Sequence, residues 1–217
     1  RDLSITTAKA QTTRHRILGF INGDNYQLIL SDTPGIIKPA YEMQNSMMDF
    51  VKESLDDADV LIYMIDVAER NIKDERLLEK IQKSKTPLLV LINKIDTSAQ
   101  EELEEAVQHW AMIFPDSSVI PISALKGFFI SDLLEILISK IPESPPYFPK
   151  DQLSDKPERF FVNEAIRKNI LENYDKEIPY AVEVVTEEFM EAEKIIKIRS
   201  IILVERETQK GIVIGHK

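Results

Sequence analysis

Three short polar motifs each end an apolar stretch of the chain. They are Asp32-Thr33-Pro34-Gly35 after the stretch 26–31, Asn93-Lys94-Ile95-Asp96 at the end of 88–93, and Ser123-Ala124-Leu125 at the end of 118–123. A fourth motif, Gln11-Thr12-Thr13-Arg14, lies upstream in a polar stretch typical of a loop. Carboxylates, hydroxyls and unobstructed glycine backbone are groups that hold Mg²⁺ and phosphates.

The first and fourth motifs suit a metal-bound phosphate. A carboxylate such as Asp32 at a strand end can hold Mg²⁺, usually through a water molecule. The amide of Gly35 can approach a terminal phosphate because no Cβ blocks it. A threonine hydroxyl of the fourth motif can join the Mg²⁺ shell only when that phosphate is present, which makes a switch.

The other two motifs suit a nucleobase. Asp96 can accept two hydrogen bonds from a base that carries N1–H and an exocyclic N2 amine, which describes guanine, whereas adenine lacks both donors. Ala124 can offer its backbone N–H to guanine O6. Each motif alone is common, but the four together, in this order, favour a guanine-nucleotide site.

The elements between the motifs predict how they are positioned. Apolar stretches typical of strands are 26–31, 60–66, 88–93 and 118–123, and helical patterns are 43–57, 74–84, 99–113 and 130–140. Such alternation predicts an α/β fold with a parallel sheet and helices on both faces. Ligands of such sheets bind at the carboxyl ends of the strands, so we expect the motifs to converge. The single tryptophan, Trp110, has the spacing of a core residue.

A proline-rich segment divides the chain. Four of the eleven prolines lie within 141–149, and proline disfavours regular structure around it. We therefore predict a first domain over 1–141, a linker over 142–156 and a second domain over 157–217. The second has a helical pattern at 158–173, extended segments at 179–189 and 194–206, and a short stretch to Lys217. Basic and apolar residues alternate over 194–199, which favours a half-buried edge strand.

Composition excludes several classes of protein. The chain has no cysteine, which excludes disulfide scaffolds, thiolate metal sites and cysteine nucleophiles. Its 27 Lys and Arg against 37 Asp and Glu give a net charge of −10. That charge argues against a wholesale nucleic-acid coat but allows a local basic face. No apolar run approaches the roughly 18 residues of a membrane-spanning helix.

These motifs resemble the TrmE-Era-EngA-like GTPases of the translation-factor class. The stretch 9–16 (KAQTTRHR) narrows the resemblance to the Era family, whose members carry a C-terminal KH domain. The segment 211–217 (GIVIGHK) is similar to the run into a KH Gly-x-x-Gly loop, which clamps nucleotide backbones. The helix–strand–strand order of the second domain is similar to the opening of a type II KH domain.

The resemblance implies a P-loop NTPase-like domain followed by an α+β KH-like domain. It implies a protein that binds GTP and GDP with Mg²⁺, hydrolyses GTP slowly, binds the 3′ end of 16S ribosomal RNA and assists maturation of the 30S subunit. It implies a cytoplasmic location, with peripheral association to the inner face of the cell membrane, and no DNA partner. The RNA-binding residues it implies are Lys210, Gly211, Gly215, His216 and Lys217.

The same resemblance assigns roles at the nucleotide. Thr13 is the expected switch I ligand of Mg²⁺, with Thr12 as the competing assignment, and Asp32 is the second metal ligand. Thr33, Pro34 and Gly35 complete the phosphate motif. Asn93, Lys94 and Asp96 form the guanine motif. Ser123 and Ala124 form the motif that is counted fifth in this family of GTPases and that also binds the guanine base.

Two departures from the family pattern shape the expectation. The chain contains no Gly-x-x-x-x-Gly-Lys-Ser/Thr phosphate loop, and we expect that loop to precede Arg1. The KH-like domain lacks the second glycine of its loop. We therefore expect both domains to be incomplete. Ile36 stands where a Ras-like enzyme carries the glutamine that orients water, and no catalytic residue is identified. The alternative hypothesis is an RNA-binding or ribosome-docking protein without GTPase activity in this form. A membrane-surface GTPase is a third, disfavoured by the net charge.

Overall fold

The computed structural model describes residues 3–7, 9 and 11–215, which form two compact units. We call residues 22–28 and 36–148 the sheet unit. We call the described residues up to 21, together with 29–35 and 149–215, the hairpin unit. This grouping follows contacts within the folded chain, and the domain bounds given above remain a prediction.

A parallel three-stranded sheet forms the centre of the sheet unit. Its strands are β3 (Leu61–Asp66), β4 (Leu88–Asn93) and β5 (Ser118–Pro121), in the order β3-β4-β5. The register places Asp66 opposite Asn93, so the two strands end at the same level. The three apolar stretches that predicted these strands are confirmed, because a strand covered on both faces reads as a continuous apolar run.

Helices cover both faces of this sheet. They are α1 (Glu42–Asp57), α2 (Glu75–Lys83), α3 (Gln100–Ile113) and α4 (Ile130–Lys140). Val90 and Ile92 pack in one apolar cluster with residues of α1, α2 and α3, whereas Leu89 and Leu91 pack in another with residues of α4. Successive side chains of a strand point to opposite faces, so the alternation along β4 confirms the predicted layers. Trp110 is 1% exposed in the first cluster, as predicted.

The predicted strand 26–31 has a partner that the sequence did not reveal. It forms β2 (Gln27–Asp32) and pairs with β1 (Ile17–Asn22), which sequence analysis missed. Only four residues connect these strands, and the Gly23 amide donates to the Tyr26 carbonyl at 3.0 Å, so the pair is an antiparallel hairpin. Among the described residues β2 is not hydrogen-bonded to the parallel strands.

The C-terminal part has the predicted helix–strand–strand order. α5 (Glu158–Asn173) is followed by the antiparallel strands β6 (Val182–Ala192) and β7 (Ile195–Val204), and then by α6 (Glu207–Ile214). A small core of Ile170, Ile178, Val182 and Val184 joins α5 to the start of β6. The predicted half-burial of the segment 194–199 was wrong: Ile195 to Arg199 are exposed on both faces of β7.

Candidate guanine-nucleotide site

The Asn93 side chain ties the ends of two strands together. Its Oδ1 atom accepts the backbone N–H of Lys94 at 2.8 Å and that of Ala124 at 3.0 Å. The backbone around it is also bonded to both neighbours, since the Val67 amide donates to the Asn93 carbonyl at 2.9 Å and the Ile122 amide donates to Ile92 at 2.8 Å. The parallel register therefore brings the second and third motifs to one place.

Asp96 is held by a buried serine. It lies in a 3₁₀ turn, Ile95–Thr97, directly after Lys94, which adopts the left-handed conformation with φ 66°. The hydroxyl of Ser123, 1% exposed, donates to Asp96 Oδ1 at 2.5 Å and accepts the Lys126 amide at 3.1 Å. A carboxylate has acceptor sites on both oxygens, so the exposed Asp96 retains the capacity to accept two further donors.

Ala124 is exposed, but its backbone N–H already has a partner inside the protein. That N–H donates to the Asn93 side chain. The contact to guanine O6 therefore stays a prediction, and it requires that the same N–H be shared between Asn93 and the base.

Sequence analysis missed Asp66 as a member of this site. Its Oδ2 atom pairs with the Lys94 ammonium at 2.8 Å, and its Oδ1 atom accepts the Ala68 amide at 3.0 Å. The hydrogen bond from Lys94 is the main cause that lowers the pKa of Asp66 below its ordinary value. The available signal was its position, because Asp66 is the last residue of an apolar strand, as Asp32 is.

The two threonines of the upstream motif have different partners. The Thr12 hydroxyl donates to the Lys9 carbonyl at 2.7 Å and lies 2.9 Å from the Thr7 hydroxyl. The Thr13 hydroxyl instead donates to Asp32 Oδ2, at the longer distance of 3.4 Å. Geometry thus brings Thr13, and not Thr12, to the carboxylate at the end of β2.

The rest of the Asp32-Thr33-Pro34-Gly35 motif leaves room beside its glycine. Pro34 is buried, Thr33 is partly buried, and an added Cβ at Gly35 would meet nothing within 4 Å among the described atoms. The protein's own packing therefore does not require glycine there. Ile36 packs against the apolar cluster of the sheet unit, so its side chain is committed to the core.

Arginine and histidine of the upstream segment lie against the C-terminal elements of the hairpin unit. Arg14 is only 4% exposed, so its guanidinium is not part of an exposed basic surface. The His15 ring contacts the Phe160 ring edge-on, with centroids 6.0 Å apart. Burial is the main cause that lowers the His15 pKa below its ordinary value, and the carboxylates of Glu183 and Glu164 oppose it.

The predicted RNA-binding residues fall at the end of the described chain. Lys210 and Gly211 are exposed within α6, and the Lys210 ammonium lies 3.2 Å from Glu207 Oε1. Gly215 ends that helix with φ 79°, a conformation that glycine adopts without strain. His216 and Lys217 lie outside the described residues.

Two kinds of feature are absent from the described part of the chain. No group of three or more His, Cys, Asp or Glu side chains is arranged to hold a metal ion. None of the described helices combines the length and apolarity that crossing a membrane requires.

Known proteins match the chain along its length. A protein-family model for a 50S ribosome-binding GTPase matches residues 1–94, and one for a KH domain matches residues 177–217. GTPase Era of Geotalea uraniireducens is 41% identical over 215 residues, which are 98% of this chain and 72% of that protein.

Solved structures of Era match the fold as well. Era in complex with MgGDPNP and nucleotides 1506–1542 of 16S ribosomal RNA superposes with a TM-score of 0.92 at 33% identity, covering 99% of this chain and 74% of the other. A variant of Aquifex aeolicus Era bound to GDP·AlF4⁻ gives 0.91 at 33% identity, covering 98% and 74%. The chain therefore belongs to the Era family of GTPases.

Proposed function

We propose that the protein is a GTP-binding and slowly GTP-hydrolysing switch that binds small-subunit ribosomal RNA and assists maturation of the 30S subunit. The observation that carries the proposal is the Asp96 carboxylate, which a 1%-exposed serine holds in place beside the end of β4. The relatives support the remainder, since Era has been crystallised with MgGDPNP and with a fragment of 16S ribosomal RNA.

The Thr13 and Asp32 side chains suit magnesium. Their oxygen atoms lie 3.4 Å apart, and Mg²⁺ binds hard oxygen ligands, keeping several waters and using few protein groups together with phosphates. We propose Thr13 and Asp32 as the protein's contribution to that site. Mg²⁺ would supply neutralisation of the phosphate charge, while Thr33, Pro34 and Gly35 shape the backbone beside the terminal phosphate.

Slow hydrolysis follows from what the site lacks. Orientation of the attacking water by a glutamine is the usual device in Ras-like enzymes, and Ile36 has no hydrogen-bonding group and is packed in the core. Turnover would then depend on positioning and on charge stabilisation, which gives a long-lived GTP state suited to a switch.

The RNA-binding function rests on the C-terminal elements. We propose that Lys210, Gly211, Gly215, His216 and Lys217 contact the 3′ end of 16S ribosomal RNA, since KH domains clamp a nucleotide backbone at such a loop. Because the chain has a net charge of −10, RNA binding depends on this local surface. We place the protein in the cytoplasm; contact with the inner face of the cell membrane remains a prediction, and pelleting with anionic liposomes tests it.

Competition for a fluorescent GDP tests the nucleotide part. In the full-length protein we expect GDP and GTP to compete and ADP not to compete. Asp96→Asn should weaken GDP binding by about two orders of magnitude, because each charge-assisted bond to the base contributes about 1.5–3 kcal/mol. Equal competition by ADP would refute the guanine assignment.

The RNA affinity of each nucleotide state tests the switch. We expect a 3′ fragment of 16S ribosomal RNA to bind with different affinity when the protein holds GDP and when it holds a GTP analogue. Equal affinities would refute the switch. RNA binding without any nucleotide binding would favour the alternative function, an RNA-binding or ribosome-docking protein without GTPase activity.

A further inference from the structure

An arginine of α5 holds the backbone next to Thr13. Arg167 is 3% exposed, and its Nη2 atom donates to the Thr12 carbonyl at 2.6 Å. The same guanidinium forms a two-pronged pair with Glu164, at 2.8 Å from Nε to Oε1 and 2.7 Å from Nη2 to Oε2. The Glu164 carboxylate fixes the plane of the guanidinium, and the guanidinium in turn fixes the Thr12 carbonyl.

The backbone on the other side of Thr13 is anchored as well. Arg14 donates from Nη1 to the Val182 carbonyl and from Nη2 to the Pro179 carbonyl, both at 2.8 Å. Further upstream, the Lys9 ammonium donates to the Tyr174 carbonyl and lies 3.0 Å from Asp175 Oδ1. All of these contacts lie within the hairpin unit.

The two anchors leave the Thr13 side chain between fixed points. Thr12 and Arg14 are bonded to α5 and to the segment leading into β6, and the Thr13 hydroxyl between them reaches Asp32. Buried guanidinium groups need several partners to offset the loss of water. Two buried guanidinium groups therefore hold the backbone on either side of Thr13, although Nη1 of Arg167 has no hydrogen-bond partner among the described residues.

The helix also reaches the predicted RNA-binding segment, since Tyr174 at its C-terminal end donates its hydroxyl to the Val213 carbonyl of α6 at 3.0 Å. We propose that Arg167 is a positioning residue for Thr13, the proposed magnesium ligand, and that through it α5 couples the nucleotide site to RNA binding. The proposal rests on the proposed function, because it takes Thr13 as a ligand of Mg²⁺ in the GTP state. Displacement of α5 moves the Thr12 carbonyl, and ordering of Thr13 by Mg²⁺ and a terminal phosphate constrains α5. Coupling of this kind is reciprocal, so RNA and the GTP analogue change each other's affinity by the same factor.

Two variants of the full-length protein separate positioning from folding. Removing Arg167 alone would leave the buried Glu164 carboxylate unpaired and could unfold the protein. The double variant Glu164→Leu with Arg167→Met replaces both charges with apolar groups that favour helix. The matched control, Glu164→Gln, keeps an acceptor for Arg167 and leaves the bond to Thr12.

Three measurements follow for each variant. Hydrogen exchange of residues 11–16 without nucleotide should be about tenfold faster in the double variant, because a charge-assisted hydrogen bond is lost. Affinity for a GTP analogue with Mg²⁺ should fall by about the same factor, while GDP affinity stays near wild type. The factor by which the RNA fragment changes analogue affinity should approach one, and the control should resemble wild type in all three.

The outcomes discriminate clearly. A folded double variant with wild-type exchange and wild-type coupling would overturn the proposal, as would a control that loses coupling to the same extent. A wild-type protein that binds no GTP analogue would overturn the proposed function and the magnesium part of this inference with it. The hydrogen-exchange result for residues 11–16 does not depend on the proposed function, because it is measured without a ligand.

Discussion

Replacing Asp66 with asparagine should weaken guanine-nucleotide binding without loosening the fold. Asp66 pairs with Lys94 at 2.8 Å through one oxygen and accepts the Ala68 amide through the other. An asparagine carbonyl can still accept that amide, so the turn after β3 is retained and only the charge is lost. Lys94 stands between Asn93 and Asp96 in the motif proposed to contact the base, so we expect the direction of its side chain to matter to binding.

The size of the effect follows from the exposure of the pair. The Lys94 and Asp66 side chains are 62% and 39% exposed, and such partly exposed ion pairs contribute about 0.2–1 kcal/mol. At about 1.4 kcal/mol for each tenfold change, this predicts GDP binding weaker by roughly 1.4- to fivefold. A second effect also weakens GDP binding. Once released from Asp66, the Lys94 ammonium is free to compete with the base for the Asp96 carboxylate.

Displacement of fluorescent GDP from the full-length protein measures the effect. Asp56→Asn is the matched control, since it removes the same charge from an exposed pair with Lys80, at 2.7 Å, on α1 and α2. A double-mutant cycle compares the effect of Asp66→Asn on GDP affinity in the wild-type protein and in a Lys94→Met background. In the Lys94→Met background the substitution should have no further effect. High salt should shrink the difference between wild type and Asp66→Asn, because exposed pairs are screened.

Three results would refute the reasoning. Asp66→Asn could bind GDP as wild type does, or Asp56→Asn could weaken GDP binding equally, which would reduce the effect to net charge. A persistent loss in the Lys94→Met background would show that Asp66 does not act through Lys94.

Three further substitutions test other parts of the structure. Ser123→Ala removes the buried donor to Asp96, so GDP affinity should fall by roughly tenfold or more, as expected for a charge-assisted hydrogen bond of about 1.5–3 kcal/mol; unchanged affinity would show that the hydroxyl does not orient the carboxylate. Trp110→Ala should lower the free energy of unfolding in urea by about 3–5 kcal/mol, because Trp110 is 1% exposed and packs beside Phe114, and a loss below 1 kcal/mol would contradict that packing. His15→Gln tests a pH dependence. Burial lowers the His15 pKa below 6.5 in the folded protein, so the unfolded chain binds the proton more readily. The wild-type protein should therefore lose stability as the pH falls from 6.5 toward the lowered pKa of the folded state. The variant should lose less over that window in urea titrations, and equal losses would refute the assignment.

The guanine motif could be located from the sequence because its signals are local. β4 reads as an unbroken apolar run, and Asn93, Lys94 and Asp96 follow it directly, so strand, strand end and side chains are predicted together. Ser123 was found in the same way, at the end of the next strand. None of these predictions required knowledge of distant contacts.

The elements that sequence analysis missed depend on such contacts. Asp66 acquires its role only from the register that places β3 beside β4. Arg167 lies in the middle of α5 and carries no mark in the sequence that distinguishes it from a surface residue, although it holds a carbonyl near the other end of the chain. β1 was missed because the residues that follow it, 23–26, were not recognised from the sequence as a hairpin turn.

The two sets of candidate residues differ in how firmly the structure holds them. The residues proposed to contact the base are tied to adjacent strands by backbone bonds and by bonds to the Asn93 side chain, all of 2.8–3.0 Å, and moving them would disrupt the parallel sheet. Thr13 and Asp32 are joined only by a bond of 3.4 Å, longer than a strong hydroxyl–carboxylate hydrogen bond, so little free energy opposes its replacement by metal coordination. On the proposed function, base identity would be read by structure that does not move, while the terminal phosphate would be sensed by a contact that exchanges readily. Because Arg167 holds the backbone beside that contact, we expect α5 to influence the Thr13–Asp32 pair without altering recognition of guanine.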